Sequence, residues 1–183
     1  FASGFNQLYA LGPHEIQFGI LKRLRGTPII RHTEDFGMRF DPYPPYTILA
    51  NKDVPFAEMQ KLVRFARYWD LVANSGRFSH TLPVILGDAP FENFMALSDW
   101  IYAKTDATHK IALDRLANLV TQWLCQERGM PQQEVLTMIG KDYAGDAKHK
   151  QSPEILRAEN LAATTLVAEN KARPKRQSRH LQN

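Results

Sequence analysis

The sequence predicts a mainly α-helical protein with a small α/β part at its start. From residue 55 onward, apolar residues recur at three- and four-residue spacing, which is typical of amphipathic helices. Before residue 46, a short β-branched and aromatic run and a proline-rich stretch favour extended chain. The chain has 183 residues, of which 44% are hydrophobic and 23% charged, so its composition is that of a globular protein with a sizeable core.

The α/β part contains one predicted strand at residues 15–21. This run is short, β-branched, aromatic and apolar on both faces, as in a buried strand of a parallel sheet. Turn signals stand on both sides, at Gly12-Pro13 and at Gly26-Thr27-Pro28. Because a single parallel strand is not a fold, we expect its partners upstream of Phe1. We therefore interpret the chain as the C-terminal fragment of a longer protein.

A boundary is predicted after this strand. Residues 29–36 favour a short helix that Gly37 ends, and Pro44-Pro45 excludes regular helix from residues 38–50, which are expected to be extended. The predicted division is an α/β part, a helical domain and a basic disordered tail, at residues 1–45, 46–170 and 171–183.

Six helices are predicted in the helical domain. They begin or end at proline and glycine signals, such as Pro55 and Pro90 in first turns and Gly76 and Gly129 at C-terminal ends. Their approximate ranges are 55–74, 78–86, a segment following 88, 108–128, 131–140 and 152–170.

The positive charge of the chain is concentrated at its end. The net charge is +4, but residues 170–183 carry five cations and no acid. The remaining 18 cations face 19 acids, so the body is almost neutral. A nucleic-acid-binding body would carry the charge itself, and nucleic acid is therefore not the expected partner. No apolar run is long enough to cross a membrane, and a membrane partner is not expected either.

Self-contained catalytic motifs are absent from the sequence. It has no Walker loop, dinucleotide fingerprint or zinc-binding Cys and His pairs. The single cysteine, Cys125, excludes an intramolecular disulfide and a metal site made of cysteines alone, and we interpret it as a small core residue.

Two segments are candidates for function. In residues 18–28, the end of the predicted strand runs into the Gly-Thr-Pro turn, where Lys22, Arg23 and Arg25 could meet a carboxylate or phosphate at the rim of an α/β barrel. A turn with solvated cations is the simpler alternative. In residues 64–78, aromatic and cationic residues recur at helical spacing, which indicates stacking or a buried ion pair, or more simply an aromatic core stripe with a helix cap.

Three segments of the sequence resemble a known family. Residues 18–29, 44–49 and 64–78 together resemble the C-terminal region of cobalamin (B12)-binding-domain radical S-adenosylmethionine (radical SAM) proteins. They are most similar to the subgroup with a helical C-terminal domain of unknown function (DUF4080-like). The resemblance covers roughly residues 1–145. It implies a full chain with an N-terminal cobalamin-binding domain and a partial (β/α) barrel, whose [4Fe–4S] cluster cleaves S-adenosylmethionine to a radical.

The resemblance also implies roles for residues of this chain. Residues 1–45 would be the end of the radical SAM barrel. The cofactor-binding assignment is positional, with three residues near the S-adenosylmethionine rim and two that shape it: Leu21, Lys22 and Arg23, then Gly26 and Thr27. The three-Cys motif and the cobalamin domain are absent, so this chain alone is expected to bind neither cluster nor cobalamin. No catalytic residue is assigned.

The leading functional hypothesis is the C-terminal part of a B12-dependent radical SAM enzyme that performs methyl transfer or C–C bond chemistry. The helical domain would close the barrel and help bind an unidentified small-molecule substrate, with the upstream barrel and cobalamin domain as its partners. The main alternative is a non-catalytic helical module that docks a protein partner. A third reading is RNA binding through Lys22, Arg23, Arg25, Arg31 and the tail. The single unpaired cysteine favours the reducing cytoplasm.

Overall fold

The structure, a computed structural model, describes residues 1–145 and is mainly helical with a small two-stranded sheet. Its α-helices in this range are Ala2–Ala10 (α1), Phe56–Trp69 (α2), Leu82–Leu86 (α3), Pro90–Thr105 (α4), Leu113–Gln126 (α5) and Gln132–Gly145 (α6). Its strands are Arg39–Phe40 (β1) and Ile48–Ala50 (β2). The helix predicted over 152–170 and the tail predicted over 171–183 lie outside the described residues. No helix within residues 1–145 combines the length and apolar character needed to cross a membrane.

The chain divides into two compact units. The first unit contains residues 1–74 and 88–109, and the second contains residues 75–87 together with the chain from residue 110 onward. The predicted barrel end, residues 1–45, thus lies in the same unit as α2 and α4. The division predicted at residues 45 and 46 stays a prediction.

The core of the first unit is an aromatic cluster. Phe65 and Trp69 lie one turn apart on α2, and their rings stack with centroids 6.0 Å apart. Phe5 of α1 contacts the Trp69 ring edge-on at 5.0 Å, and Phe94 of α4 contacts it at 4.9 Å. All four side chains are buried. The interpretation of residues 64–78 as an aromatic core stripe is confirmed.

Helix α1 was not predicted from the sequence. Residues 2–10 contain Gly4 and no charged residue, so neither helix propensity nor capping marks them as a helix. Phe5 supplies the missing stabilisation because its ring is buried against α2. Tertiary packing therefore outweighs the weak local signal.

The predicted parallel strand at residues 15–21 is wrong. The structure gives this segment no strand ladder, and Lys22 instead forms an isolated antiparallel bridge with Thr47. The amide of Ile48 donates to the carbonyl of Leu21 at 2.9 Å. The physical reason is that the backbone of Ile16 is bonded to a side chain, as described below, rather than to a neighbouring strand.

The stretch between this segment and α2 follows the expectations more closely. The helix predicted over residues 29–36 is a shorter 3₁₀-helix, Pro28–His32. Residues 38–50 contain no regular helix, as expected, but they are not extended throughout. Strands β1 and β2 form an antiparallel hairpin around a turn in which the amide of Tyr46 donates to the carbonyl of Tyr43. After α2, the chain continues through one π-helical turn, Asp70–Asn74, and Gly76 adopts the predicted left-handed conformation, with φ +68°.

The second unit is built on α5 and α6. The predicted apolar face of α5 is buried at Leu116, Val120 and Trp123. Near the end of α6, the carboxylate of Asp142 is fully buried and accepts hydrogen bonds from the backbone amides of His80 (2.6 Å) and Thr81 (3.1 Å). The Thr81 hydroxyl also donates to Asp142. A carboxylate from α6 thus satisfies the backbone immediately before α3.

We expect Asp142→Asn to lower the free energy of unfolding by about 2 kcal/mol, because an amide offers one acceptor oxygen where the carboxylate offers two and leaves a buried donor unpaired. Urea unfolding monitored by circular dichroism measures the effect. Asp88→Asn, at an exposed residue, is the matched control and should change the free energy by less than about 0.5 kcal/mol. Equal effects of the two variants would contradict the role of Asp142.

Candidate functional site

An open cleft of about 820 Å³ lies beside the Gly-Thr-Pro turn in the first unit. Its size is in the range of small-molecule binding sites. Residues between 23 and 31 and two residues of the β1–β2 connection line it: Arg23, Leu24, Arg25, Gly26, Thr27, Pro28, Ile30, Arg31, Pro42 and Tyr46.

One wall of the cleft is a tight turn from Leu24 to Thr27. The amide of Thr27 donates to the carbonyl of Leu24 at 3.3 Å, and the Thr27 hydroxyl donates to the same carbonyl at 2.7 Å. Gly26 has φ +77°, a conformation that residues with a Cβ adopt at a cost. The Gly-Thr pair therefore closes the turn through one backbone conformation and one hydroxyl.

A second wall of the cleft contains Pro42 and Tyr46 from the β1–β2 connection. The two walls are joined by the backbone, since the amide of Arg23 donates to the carbonyl of Tyr46 at 3.0 Å. The guanidinium of Arg23 lies over the ring of Phe40, 5.3 Å from its centroid. The cleft therefore exists because residues 21–23 pair with residues 46–48.

Three arginines, Arg23, Arg25 and Arg31, line the cleft, whereas no Asp or Glu does. Arg31 is oriented by its Nε, which donates to the carbonyl of Pro28 at 3.2 Å. Like charges that line one cleft add to a positive local potential that attracts anions. Guanidinium groups bind carboxylate and phosphate through paired hydrogen bonds.

The structure places the predicted site residues in two groups. Arg23, Gly26 and Thr27 line the cleft, whereas Leu21 and Lys22 precede it and pair with the residues around Thr47. Their assignment to a cofactor stays a prediction. Sequence reasoning missed Tyr46 as a wall of this cleft, because nothing in its neighbourhood shows that it pairs with Arg23.

The side chain of Asn74 bonds to the backbone of Ile16, which precedes the cleft residues along the chain. Its side-chain Nδ2 donates to the carbonyl of Ile16 at 3.0 Å and to Asp70 at 2.9 Å. Its Oδ1 accepts from the indole Nε1 of Trp69 at 3.1 Å and from the amide of Ile16 at 3.3 Å. One amide side chain thus fastens residue 16 to the end of α2.

We expect Asn74→Ala to lower the free energy of unfolding by about 2–3 kcal/mol, since several partly buried hydrogen bonds are lost together. The amide of Ile16 should then exchange hydrogen faster. In Asn74→Asp, an acceptor oxygen is kept and the Ile16 amide should stay better protected. Hydrogen exchange measured by NMR distinguishes the variants.

The matched control for Asn74 is Gln60→Ala on α2, whose side chain makes no hydrogen bond within residues 1–145. It should leave the exchange of the Ile16 amide unchanged. If Asn74→Ala and Asn74→Asp exposed the Ile16 amide equally, the acceptor role of Asn74 would be refuted.

The residues of this chain do not fit an iron–sulfur cluster. A protein-bound cubane cluster needs three or more thiolates close together, and the sequence has only Cys125. Among the described residues, no group of three His, Cys, Asp or Glu side chains is arranged to hold a metal ion. Cys125 is half-buried on α5, and burial raises the pKa of its thiol.

We expect Cys125 to react with iodoacetamide more slowly than free cysteine at pH 8, because its raised pKa lowers the fraction of reactive thiolate. The rate should rise as the pH is increased. Mass spectrometry of the labelled chain measures the rate, and in guanidinium chloride it should equal that of free cysteine. A folded chain that reacts as fast as the unfolded one would contradict this prediction.

Comparisons with known proteins identify a family whose sequence model matches this chain. A sequence model of the family described as "Protein of unknown function (DUF4080)" matches residues 34–182, which is most of the chain. No curated protein and no solved structure matches the chain. Part of the cleft, including Tyr46, lies within the matched residues, whereas Arg23, Arg25 and Arg31 precede them. The chain belongs to the DUF4080 family of proteins of unknown function.

Proposed function

We propose that the chain is the C-terminal part of a cobalamin-dependent radical SAM enzyme, in which the helical region closes the barrel and helps bind substrate. The observation that carries the proposal is the position of the cleft. The cleft-lining residues begin directly after residues 15–22, the segment that the resemblance assigns to the last barrel strand and that forms no strand ladder within the described residues. Membership of the DUF4080 family supports the narrower part of that resemblance.

Exposed apolar side chains in the first 45 residues support the proposal. Eight of the nine large hydrophobic side chains that are exposed within the described residues belong to this stretch, among them Leu11 (81%), Ile30 (64%) and Tyr43 (75%). Exposed apolar surface can mark interaction sites. In the proposed enzyme, the upstream barrel covers the exposed apolar side chains that lie outside the cleft, since Leu24 and Ile30 line the cleft.

The cofactors belong to the upstream part of the proposed enzyme. With one cysteine, this chain holds no [4Fe–4S] cluster, and the cluster of the parent would supply the electron that cleaves S-adenosylmethionine. The contribution of this chain is positional. Leu21, Lys22 and Arg23 lie at the cofactor rim in this proposal, and the turn at Gly26 and Thr27 shapes that rim.

A non-catalytic helical module that docks a protein partner is the second candidate. The observation that favours it is Phe56, which is 57% exposed at the first residue of α2. In this candidate, the exposed apolar side chains bind another protein and no radical chemistry takes place.

The first experiment reads the coding DNA upstream of Phe1. The proposal expects an in-frame Cys-x-x-x-Cys-x-x-Cys motif preceded by a cobalamin-binding domain. A stop codon followed by a start codon close to Phe1, or an upstream region without those cysteines, would overturn the proposal and favour the docking module.

The second experiment uses the full-length parent, reconstituted anaerobically with iron and sulfide. After reduction, it should convert S-adenosylmethionine to 5′-deoxyadenosine, measured by liquid chromatography. Serine at any cysteine of the motif should abolish the product, whereas the matched control Cys125→Ser should leave it unchanged. Loss of the product in Cys125→Ser alone would contradict the assignment of the cluster to the upstream part.

A further inference from the structure

We propose that the cleft at the Gly-Thr-Pro turn binds an anionic small molecule through its phosphate or carboxylate groups, with Arg23, Arg25 and Arg31 as the binding residues. The inference stands on the cleft itself and does not depend on radical chemistry. It goes beyond the proposed function because it assigns a chemical class of ligand to a particular set of side chains.

The first argument is unbalanced charge. The cleft is lined by the three arginines and by no acidic residue. Within residues 1–145, none of these arginines forms an ion pair. The carboxylate of Asp41, next to the lining residue Pro42, accepts a hydrogen bond from the amide of Tyr43 at 2.9 Å. Among the described residues, the cleft therefore offers an anion three arginines with no acidic side chain in the lining.

The second argument is orientation. The Nε of Arg31 is bonded to the carbonyl of Pro28, which leaves both terminal amino groups for a paired contact with an oxyanion. The guanidinium of Arg23 is held over the Phe40 ring. Two of the three cations are thus positioned before any ligand arrives, which lowers the entropy lost on binding.

The third argument is access to the backbone. Within the described chain, the amides of Arg25 and Gly26 donate no hydrogen bond. A Cβ placed at Gly26 would meet no atom within 4 Å, so the space beside this residue is open. A phosphate or carboxylate oxygen can therefore approach the turn closely and accept from these amides as well as from the arginines.

The charge also discriminates between ligands. S-adenosylmethionine carries a sulfonium and an ammonium group against a single carboxylate, so its net charge is positive at neutral pH. Three arginines disfavour it as the occupant of this cleft. If the proposed function holds, the rim at Leu21, Lys22 and Arg23 borders the cofactor on its barrel side, and the anion occupies the cleft beside that rim. The volume of about 820 Å³ exceeds that of a single inorganic ion. An organic phosphate or a polycarboxylate matches both the charge and the size.

The test is calorimetric titration of the intact chain with inorganic pyrophosphate and, separately, with citrate at low ionic strength. We expect one molecule bound per chain and an affinity that falls as salt is added. Arg25→Gln and Arg31→Gln should each weaken binding by roughly fivefold, since each removes a charge-assisted contact at an exposed site. Arg25→Lys and Arg31→Lys should each keep part of the affinity that the glutamine variants lose, since the charge is retained.

The matched control is Arg39→Gln. Arg39 is an exposed arginine of the same unit that does not line the cleft, and its replacement should change the affinity by less than about twofold. The amide resonances of Gly26 and Thr27 should shift in NMR spectra on titration of the wild-type chain. Unfolding transitions of all variants should match that of the wild type, because the replaced side chains are exposed.

The outcomes separate the ligand sources and the rival explanations. Tighter binding of pyrophosphate than of citrate indicates that the ligand is an organic phosphate. Tighter binding of citrate indicates that it is a polycarboxylate. The proposal is overturned if neither anion binds at tens of millimolar, if Arg39→Gln weakens binding as much as Arg25→Gln, or if S-adenosylmethionine binds more tightly than both. Binding of an RNA oligonucleotide with no response to the small anions would also overturn it. The upstream DNA tests the proposed function separately.

Discussion

The first unit depends on the packing of Phe65 and Trp69, which lie one turn apart on α2. Phe5 brings α1 against them, Phe18 brings in the segment at residues 15–21, and Phe94 brings in α4. Aromatic side chains bury large areas and also gain from edge-to-face contact. Two rings of one helix thus order α1 and residues 15–21, which have weak structure of their own, and also contact α4. The path of the chain toward the cleft follows from this packing.

Polar contacts then fix the positions of backbone segments that apolar burial alone does not specify. The amide of Asn74 fastens the backbone of Ile16, and the pairing of Arg23 with Tyr46 joins the cleft walls. In the second unit, the buried carboxylate of Asp142 has the same effect on the backbone of Thr81. Each of these contacts is directional and partly or fully removed from water, so a displaced chain would leave polar groups unpaired.

The proposed function assigns the radical chemistry to residues upstream of this chain, whereas the proposed anion binding belongs to this chain. The cluster and the cobalamin belong to upstream residues in the proposed enzyme, since a single cysteine cannot bind the cluster. The chain itself supplies an arginine-lined cleft and an apolar surface concentrated in its first 45 residues. The exposed arginines of the cleft repel one another only weakly, because water and salt screen like charges. An anion bound as proposed would balance this charge.

The sequence by itself determined the helices whose ends are local, because proline and glycine act through the backbone of their own residues, as Pro90 does at the start of α4 and Gly76 after α2. It also favoured a core position for the aromatic stripe of α2 and excluded regular helix from residues 38–50. Only the tertiary structure shows that residues 15–21 form no strand ladder and that the cleft exists. A strand needs a partner, and the partner here is 25 residues away, at Thr47, and antiparallel. Asp142 lies 61 residues from Thr81. Such pairings depend on the folded path of the whole chain, which no local pattern encodes.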